Sequence, residues 1–184
     1  MNTNKASKIS GSHTAPRRLI LVDIENFNGC PVKSTVQAKW CKNTLTRWLD
    51  IKEGEIVIVA TDQSNIFNVN AGWERPRLLA GTGPDGADLR LVDEIDRMML
   101  GQFDEIALVS GDGIFAGPVA RAADRGIPTT VYGHGGEISK RLQLAASQVR
   151  VSQNGYDPTP ITPVAEPAQT ANVIQLIHPT KEVA

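Results

Sequence analysis

The stretch LILVDIENF, residues 19–27, decides the reading of this chain. Four aliphatic residues run straight into Asp23, and Glu25 and Asn26 follow at once. An uninterrupted apolar run of this length, bounded by polar residues, is the signature of a strand buried on both faces. A carboxylate delivered at its end has no capping role in view, so the sequence points to a chemical reason for it.

Working outward, strand and helix signals alternate. Arg18–Val22 reads as the first strand and Thr35–Leu49 as a helix, with Val36, Trp40, Leu45, Trp48 and Leu49 at helical spacing. Glu55–Ala60 is a second strand and Arg77–Ala80 a short third. Ala87–Leu100 is a helix and Glu105–Val109 a fourth strand. A helix over Phe115–Arg125 closes at Gly126, and Pro128–Tyr132 is a fifth strand. A helix over Ile138–Ala146 and an edge strand at Val149–Val151 complete the series. Such alternation implies right-handed crossovers and a parallel sheet covered on both faces. The predicted fold is α/β, three-layered and Rossmann-like, a parallel sheet flanked by helices.

Composition sets the frame for that core. The chain has 184 residues, 41% hydrophobic and 21% charged, with a net charge of −1. That is enough apolar matter for one domain, and any nucleic-acid contact must come from a local patch rather than a basic protein. Residues 1–16 read as a flexible leader without a secretory signal's apolar segment. Residues 17–152 read as the folded domain. Residues 153–184, opening on a Pro/Thr/Ala-rich stretch, read as a disordered tail. Cys30 and Cys41 form no CxxC pair and have no histidine companions, which leaves reduced thiols and a cytoplasmic setting as the expectation. No apolar run approaches the roughly 18 residues of a membrane span.

In open parallel sheets, ligands bind beyond the carboxyl ends of the strands, where strand order reverses. With order 3-2-1-4-5, Asp23 at the end of strand 1 and Asp112 in SGDG after strand 4 face one another across that crevice. Asp62 ends strand 2. In GPDGADLRLVDEIDRMM, Leu91, Val92, Ile95, Met98 and Met99 fall on one arc of the helical wheel, with Asp88 in its middle, while Asp93 and Glu94 point further out. Clustered carboxylates persist only if protons or a cation neutralise them, and oxygen-only ligands suit Mg²⁺ or Mn²⁺. The natural chemistry is metal-assisted hydrolysis of a phosphodiester. Structural readings stand beside it. Asp112 could shape a turn, Asp62 could cap the segment after it, and Asp85 and Asp88 could form an acidic capping pair. Asn26 either binds a phosphate or holds the Asp23 loop. Ser110 either orients a carboxylate or touches substrate. Lys140 and Arg141, opening a helix at the same sheet end, either take backbone phosphates or form a solvated basic face.

GTGPDG, residues 81–86, imitates a dinucleotide-binding turn. It follows the third strand instead of the first. Pro84 removes an amide, and Asp85 sets a negative charge where phosphates would sit. Glu25, two residues past Asp23, stands where an aspartyl-nucleophile phosphatase would want a second Asp.

Taken together, DIEN (23–26), GPDGADLRLVDEI (83–95) and SGDGIFAGPVARAADRGIPTTVYG (110–133) resemble the NYN domains of the PIN-like nuclease superfamily. The resemblance spans roughly residues 17–151. It implies an acid cluster holding Mg²⁺ or Mn²⁺ and hydrolysing RNA, single-stranded or structured, with Asp23, Asp88 and Asp112 as core acids and Asn26 as the paired asparagine. It also implies a further metal-supporting acid in the same helix, Asp93 or Glu94. Two departures stand out: Ile114 where many relatives have a second acid after SGD, and Ala146 and Ser147 where another late acid is common. Those losses set a non-catalytic RNA- or nucleotide-binding module beside the hydrolase as the alternative. A homodimer is compatible with the sequence.

Overall fold

The computed structural model describes residues 17–74, 76–98 and 102–152, with Met98 described in its backbone alone. The predicted leader, the predicted tail and the last residues of the Ala87–Leu100 helix lie outside them. Six strands form one sheet: β1 (Arg18–Asp23), β2 (Ile56–Asp62), β3 (Arg77–Gly81), β4 (Glu105–Val109), β5 (Thr129–His134) and β6 (Gln148–Ser152). All neighbours are parallel, in the order β3-β2-β1-β4-β5-β6. The helices are α1 (Ile24–Asn28), α2 (Thr35–Trp48), α3 (Ile66–Trp73), α4 (Gly86–Met98), α5 (Ala116–Asp124) and α6 (Lys140–Ala145).

Side-chain alternation explains why β1 is apolar throughout. Leu19 and Leu21 join Ile58, Leu91, Ile95, Val119 and Leu142 in the core beneath α4, α5 and α6. Ile20 and Val22 join Val59, Ala38, Leu45 and Val69 beneath α2 and α3. Successive residues thus serve opposite cores, and each fully buried aliphatic contributes about 1.5–3 kcal/mol. At the amino end of β1, Arg18 donates from Nε and Nη2 to both oxygens of Glu55, at 2.9 and 2.7 Å. Charge there is neutralised by a bidentate pair.

Two helices depart from the sequence expectation. α1 is a single turn fused to the end of β1, closed by Gly29 at φ 71°. α3 lies between β2 and β3, where periodicity announces no element, because its sequence IFNVNAGW is short and rich in weak helix formers. The parallel pairing of β2 with β3 nevertheless demands a crossover, and α3 is that crossover.

Candidate functional site

Strand order reverses between β1 and β4, and the carboxyl ends of those two strands are stitched together. Asp23 continues the parity of Leu19 and Leu21, so it faces the α4 side. It is 4% exposed. The Asn26 amide donates to its Oδ1 at 3.1 Å, and the Ser110 hydroxyl donates to its Oδ2 at 3.0 Å. Asp23 therefore does serve as a cap, for α1, a one-turn helix that the sequence pattern conceals. Ser110 also accepts from the Asp112 amide at 3.2 Å, and Asn26 Oδ1 accepts from the Gly111 amide at 2.8 Å. Both residues are positioning groups: Ser110 orients Asp23, and Asn26 holds the β1 and β4 loops in register.

Glu25 makes the matching stitch to β2. Its Oε2 accepts from the Asp62 amide at 3.1 Å, and its Oε1 accepts from Thr61 Oγ1 at 3.3 Å and Asn65 Nδ2 at 2.6 Å. Its role requires β1 and β2 to be neighbours, and the only signal in the sequence is the acid in DIEN itself. Asp62 and Asp112 each cap the short 3₁₀ turn that follows, at Gln63–Asn65 and Gly113–Phe115, accepting from the amides of Ser64 and Ile114. Three strand ends thus use one device, an aspartate folded over the first turn beyond the strand.

Asp88 arrives from the third side. The GTGPDG loop folds back so tightly that a Cβ on Gly81 would stand 2.0 Å from the carbonyl carbon of Gly86. This closure starts α4 at Gly86 and sets Asp88 in its first turn. Asp85 sits at φ 55°, a left-handed conformation unlike the extended one of a capping residue. The side chain of Asp88 instead shares a cavity with that of Asp23 and interacts with it. Burial, then the Asp88 charge and its hydrogen bond, hold the Asp23 carboxyl well above the usual carboxylate range. Burial, with the charges of Asp112, Asp85 and Glu25, also raises Asp88, although its bond to Asp23 opposes this.

A cavity of about 200 Å³ opens over the pair, lined by Asp23, Glu25, Asp62, Asp85 and Asp88 together with Asn26. Asp112 is exposed and does not line it, but its charge acts on Asp88. Asp93 and Glu94 do not reach it either. Asp93 is exposed and pairs with Arg97 at 3.6 Å, and Glu94 is buried against Arg77 at 2.6 Å. The accessory acid expected from Asp93 or Glu94 is absent from the cavity, because both residues lie off the arc that carries Asp88. Lys140 and Arg141 are exposed at the start of α6 and do not line the cavity.

The NYN domain family model matches residues 19–153. The chain belongs to the NYN family. NYN domains fall within the PIN-like nuclease superfamily, bind RNA generally and generally use divalent metals. A solved protein of unknown function, VPA0982 from Vibrio parahaemolyticus, is similar in fold. The two share 18% identity with a TM-score of 0.54, over 76% of this chain and 94% of that one. No curated protein matches. The comparisons give a homodimer no support. No helix among the described residues is long and apolar enough to cross a membrane.

This NYN domain has the oxygen chemistry for a hard divalent ion, though among the described residues no three His, Cys, Asp or Glu stand close enough to ligate one ion together. Mg²⁺ asks less than that. It is held by one or two protein carboxylates, with water and phosphate oxygens completing its shell. The Asp23–Asp88 pair fits that requirement, since a cation would offset the repulsion of two adjacent carboxylates in a partly buried site. Ile114, where the family resemblance leads one to expect an acid, packs against the α4–α6 core instead, and so does Ala146.

Proposed function

We propose that this NYN domain, residues 17–152, is a divalent-cation-dependent ribonuclease. The observation that carries the reading is the Asp23–Asp88 carboxyl pair, Asp23 buried and Asp88 half-buried, at the switch point in an acid-lined cavity. Asp23 and Asp88 would hold Mg²⁺ or Mn²⁺, with Asp112 adding charge from the rim. Such an ion supplies an activated water and stabilises charge developing on a phosphoryl oxygen. The protein's own part is to fix the acids. Ser110 and Asn26 hold Asp23 against the β4 loop, Glu25 ties Asp62 to the same centre, and the Gly81 turn places Asp88. Lys140 and Arg141 would contact the RNA backbone outside the cavity.

A Mn²⁺-dependent cleavage assay on single-stranded and structured RNA tests this, with Asp23→Asn and Asp112→Asn as variants. The expected result is cleavage abolished by chelator and by Asp23→Asn, and reduced by Asp112→Asn. Cleavage surviving both substitutions would place the activity elsewhere.

One observation favours a second reading, a binding module without turnover. The position two residues after the SGD aspartate, where the family resemblance implies an acid, is here Ile114, partly buried against the core. RNA binding by the parent protein with no cleavage at any Mn²⁺ concentration would select it.

A further inference from the structure

Phe67 is 85% exposed at the first turn of α3, whereas Phe27, Phe103 and Phe115 are buried. It is the one exposed aromatic residue among the described residues. An isolated apolar residue on a surface is ordinary, so exposure alone decides nothing. Two further facts do. The segment QSNIFNVNAGW, residues 63–73, carries no charged side chain, in a chain that is 21% charged. Its solvent face presents Gln63, Ser64 and Asn70 around the ring. The segment is also tied to the acid cavity. Asn65, two residues before Phe67, is buried and donates to Glu25, and Asp62, just before the segment, lines the cavity. Helical geometry sets the Cα of Phe67 about 5 Å from that of Asn65, with the Asn65 side chain turned inward to Glu25 and the Phe67 ring turned out to solvent beyond the cavity rim.

We propose that Phe67 is a stacking platform for a base of single-stranded nucleic acid, one next to the phosphate that would lie over the acids. This rests on the ribonuclease reading for its place but not for its chemistry. A phenyl ring takes the face of any unpaired base, and amides and hydroxyls complement base edges. An uncharged surface adds no repulsion of its own to that of the carboxylate cluster, and a cation held by the acids would offset theirs. One exposed ring is too small an anchor for the roughly 800 Å² per side of a stable protein interface.

The test is fluorescence anisotropy of the full chain with a labelled single-stranded oligoribonucleotide in Ca²⁺, comparing parent, Phe67→Ala and Phe67→Trp. Loss of one stacked base weakens affinity by about 5- to 100-fold. Phe67→Ala is expected to show that loss and Phe67→Trp to be spared. A probe with abasic sites should bring the parent down to the Phe67→Ala level. The deoxyribose version of the probe tells whether the ring serves RNA alone or any single strand, and a loss with either supports the platform. Exposure of the ring means Phe67→Ala should leave Tm within about 2 °C. Equal affinity of parent and Phe67→Ala overturns the proposal, as does an equal loss on the abasic probe. If the parent cleaves RNA but Phe67→Ala binds it equally well, this inference alone fails. If the ring matters for binding but nothing is cleaved, the ribonuclease reading alone fails.

Discussion

The carboxyls of Asp23 and Asp88 meet in one cavity, one from the end of the central strand and the other from the first turn of α4, and each raises the cost of charging the site. Two ionised carboxylates this close repel one another, so the pair calls for a proton or a cation between them. Asp23 is the more deeply buried of the two, and the titration belongs to the pair. A site that must bind either a proton or a cation is coupled both to pH and to divalent ions.

The pH dependence follows in sign. Both acids are raised in the folded protein, so above about pH 4 the native state binds more protons here than the unfolded chain does. The pair's contribution is fully present below that pH and is lost as pH rises through the raised folded values. In chelator, thermal melts should show Tm falling as pH rises from 5 to 9. Asp23→Asn, which keeps a hydrogen bond to Asp88 without the second charge, should flatten the fall and melt about 3 °C or more above the parent at pH 8. A variant that falls as steeply as the parent would refute the shared-proton account.

Divalent ions should reverse that loss. Mn²⁺ at about 100 times its Kd should stabilise the parent by roughly 2.7 kcal/mol. The gain should be larger at pH 8 than at pH 5, because the ion competes with a proton. Calorimetry with and without Mn²⁺ reads it directly, and Asp23→Asn and Asp88→Asn should lose most of the increment.

Ser110 is 1% exposed and serves Asp23 and the Asp112 amide at once. Ser110→Ala leaves both without that partner, at a cost of about 1–3 kcal/mol. A group that orients a metal-binding carboxylate typically costs 10- to 100-fold in activity or metal affinity when removed. Cleavage by Ser110→Ala should fall by about that factor and recover in part at higher Mn²⁺. A loss that no Mn²⁺ concentration relieves would mean that the hydroxyl acts on substrate instead.

Much of this architecture is legible in the sequence. The run at residues 19–22 announces a strand buried on both faces, and strand–helix alternation gives the parallel order that sets Asp23 beside the SGD loop. The helical wheel places Asp88 toward the sheet. What escapes is short or depends on neighbours. α1 is one turn, too brief for periodicity, so the cap formed by Asp23 leaves no pattern. α3 is written in Asn and Gly, whose helix propensity is weak, and only the parallel pairing of β2 and β3 requires it. Glu25 gains its three donors from strand neighbours far along the chain. Asp93 is the opposite case, a residue suggested by family resemblance whose own position on the wheel points it to solvent.

The part of Asp93 can be tested. Asp93 makes only an exposed i,i+4 pair with Arg97, so Asp93→Ala should change stability by no more than about 0.5 kcal/mol. Cleavage should be untouched. Glu94 is buried against the half-exposed Arg77, so Glu94→Ala should cost about 1–3 kcal/mol by urea denaturation, again with kcat unchanged. A drop in kcat for Asp93→Ala with wild-type stability would return it to the site.

The loop of residues 81–86 separates strain from misplacement. In Gly81→Ala the new Cβ would meet the Gly86 carbonyl carbon at 2.0 Å and the Ala87 nitrogen at 2.2 Å. Both are backbone atoms at the start of the helix that carries Asp88, so α4 must back away from β3. A shift of about 1 Å at a catalytic group can cost on the order of 100-fold. Gly83→Ala meets nothing within 4 Å but occupies φ +75°, so it should cost about 1 kcal/mol of stability and leave cleavage near the parent level. Urea melts paired with initial rates distinguish the two, and equal rates for both variants would show that the placement of Asp88 does not depend on the Gly81 turn.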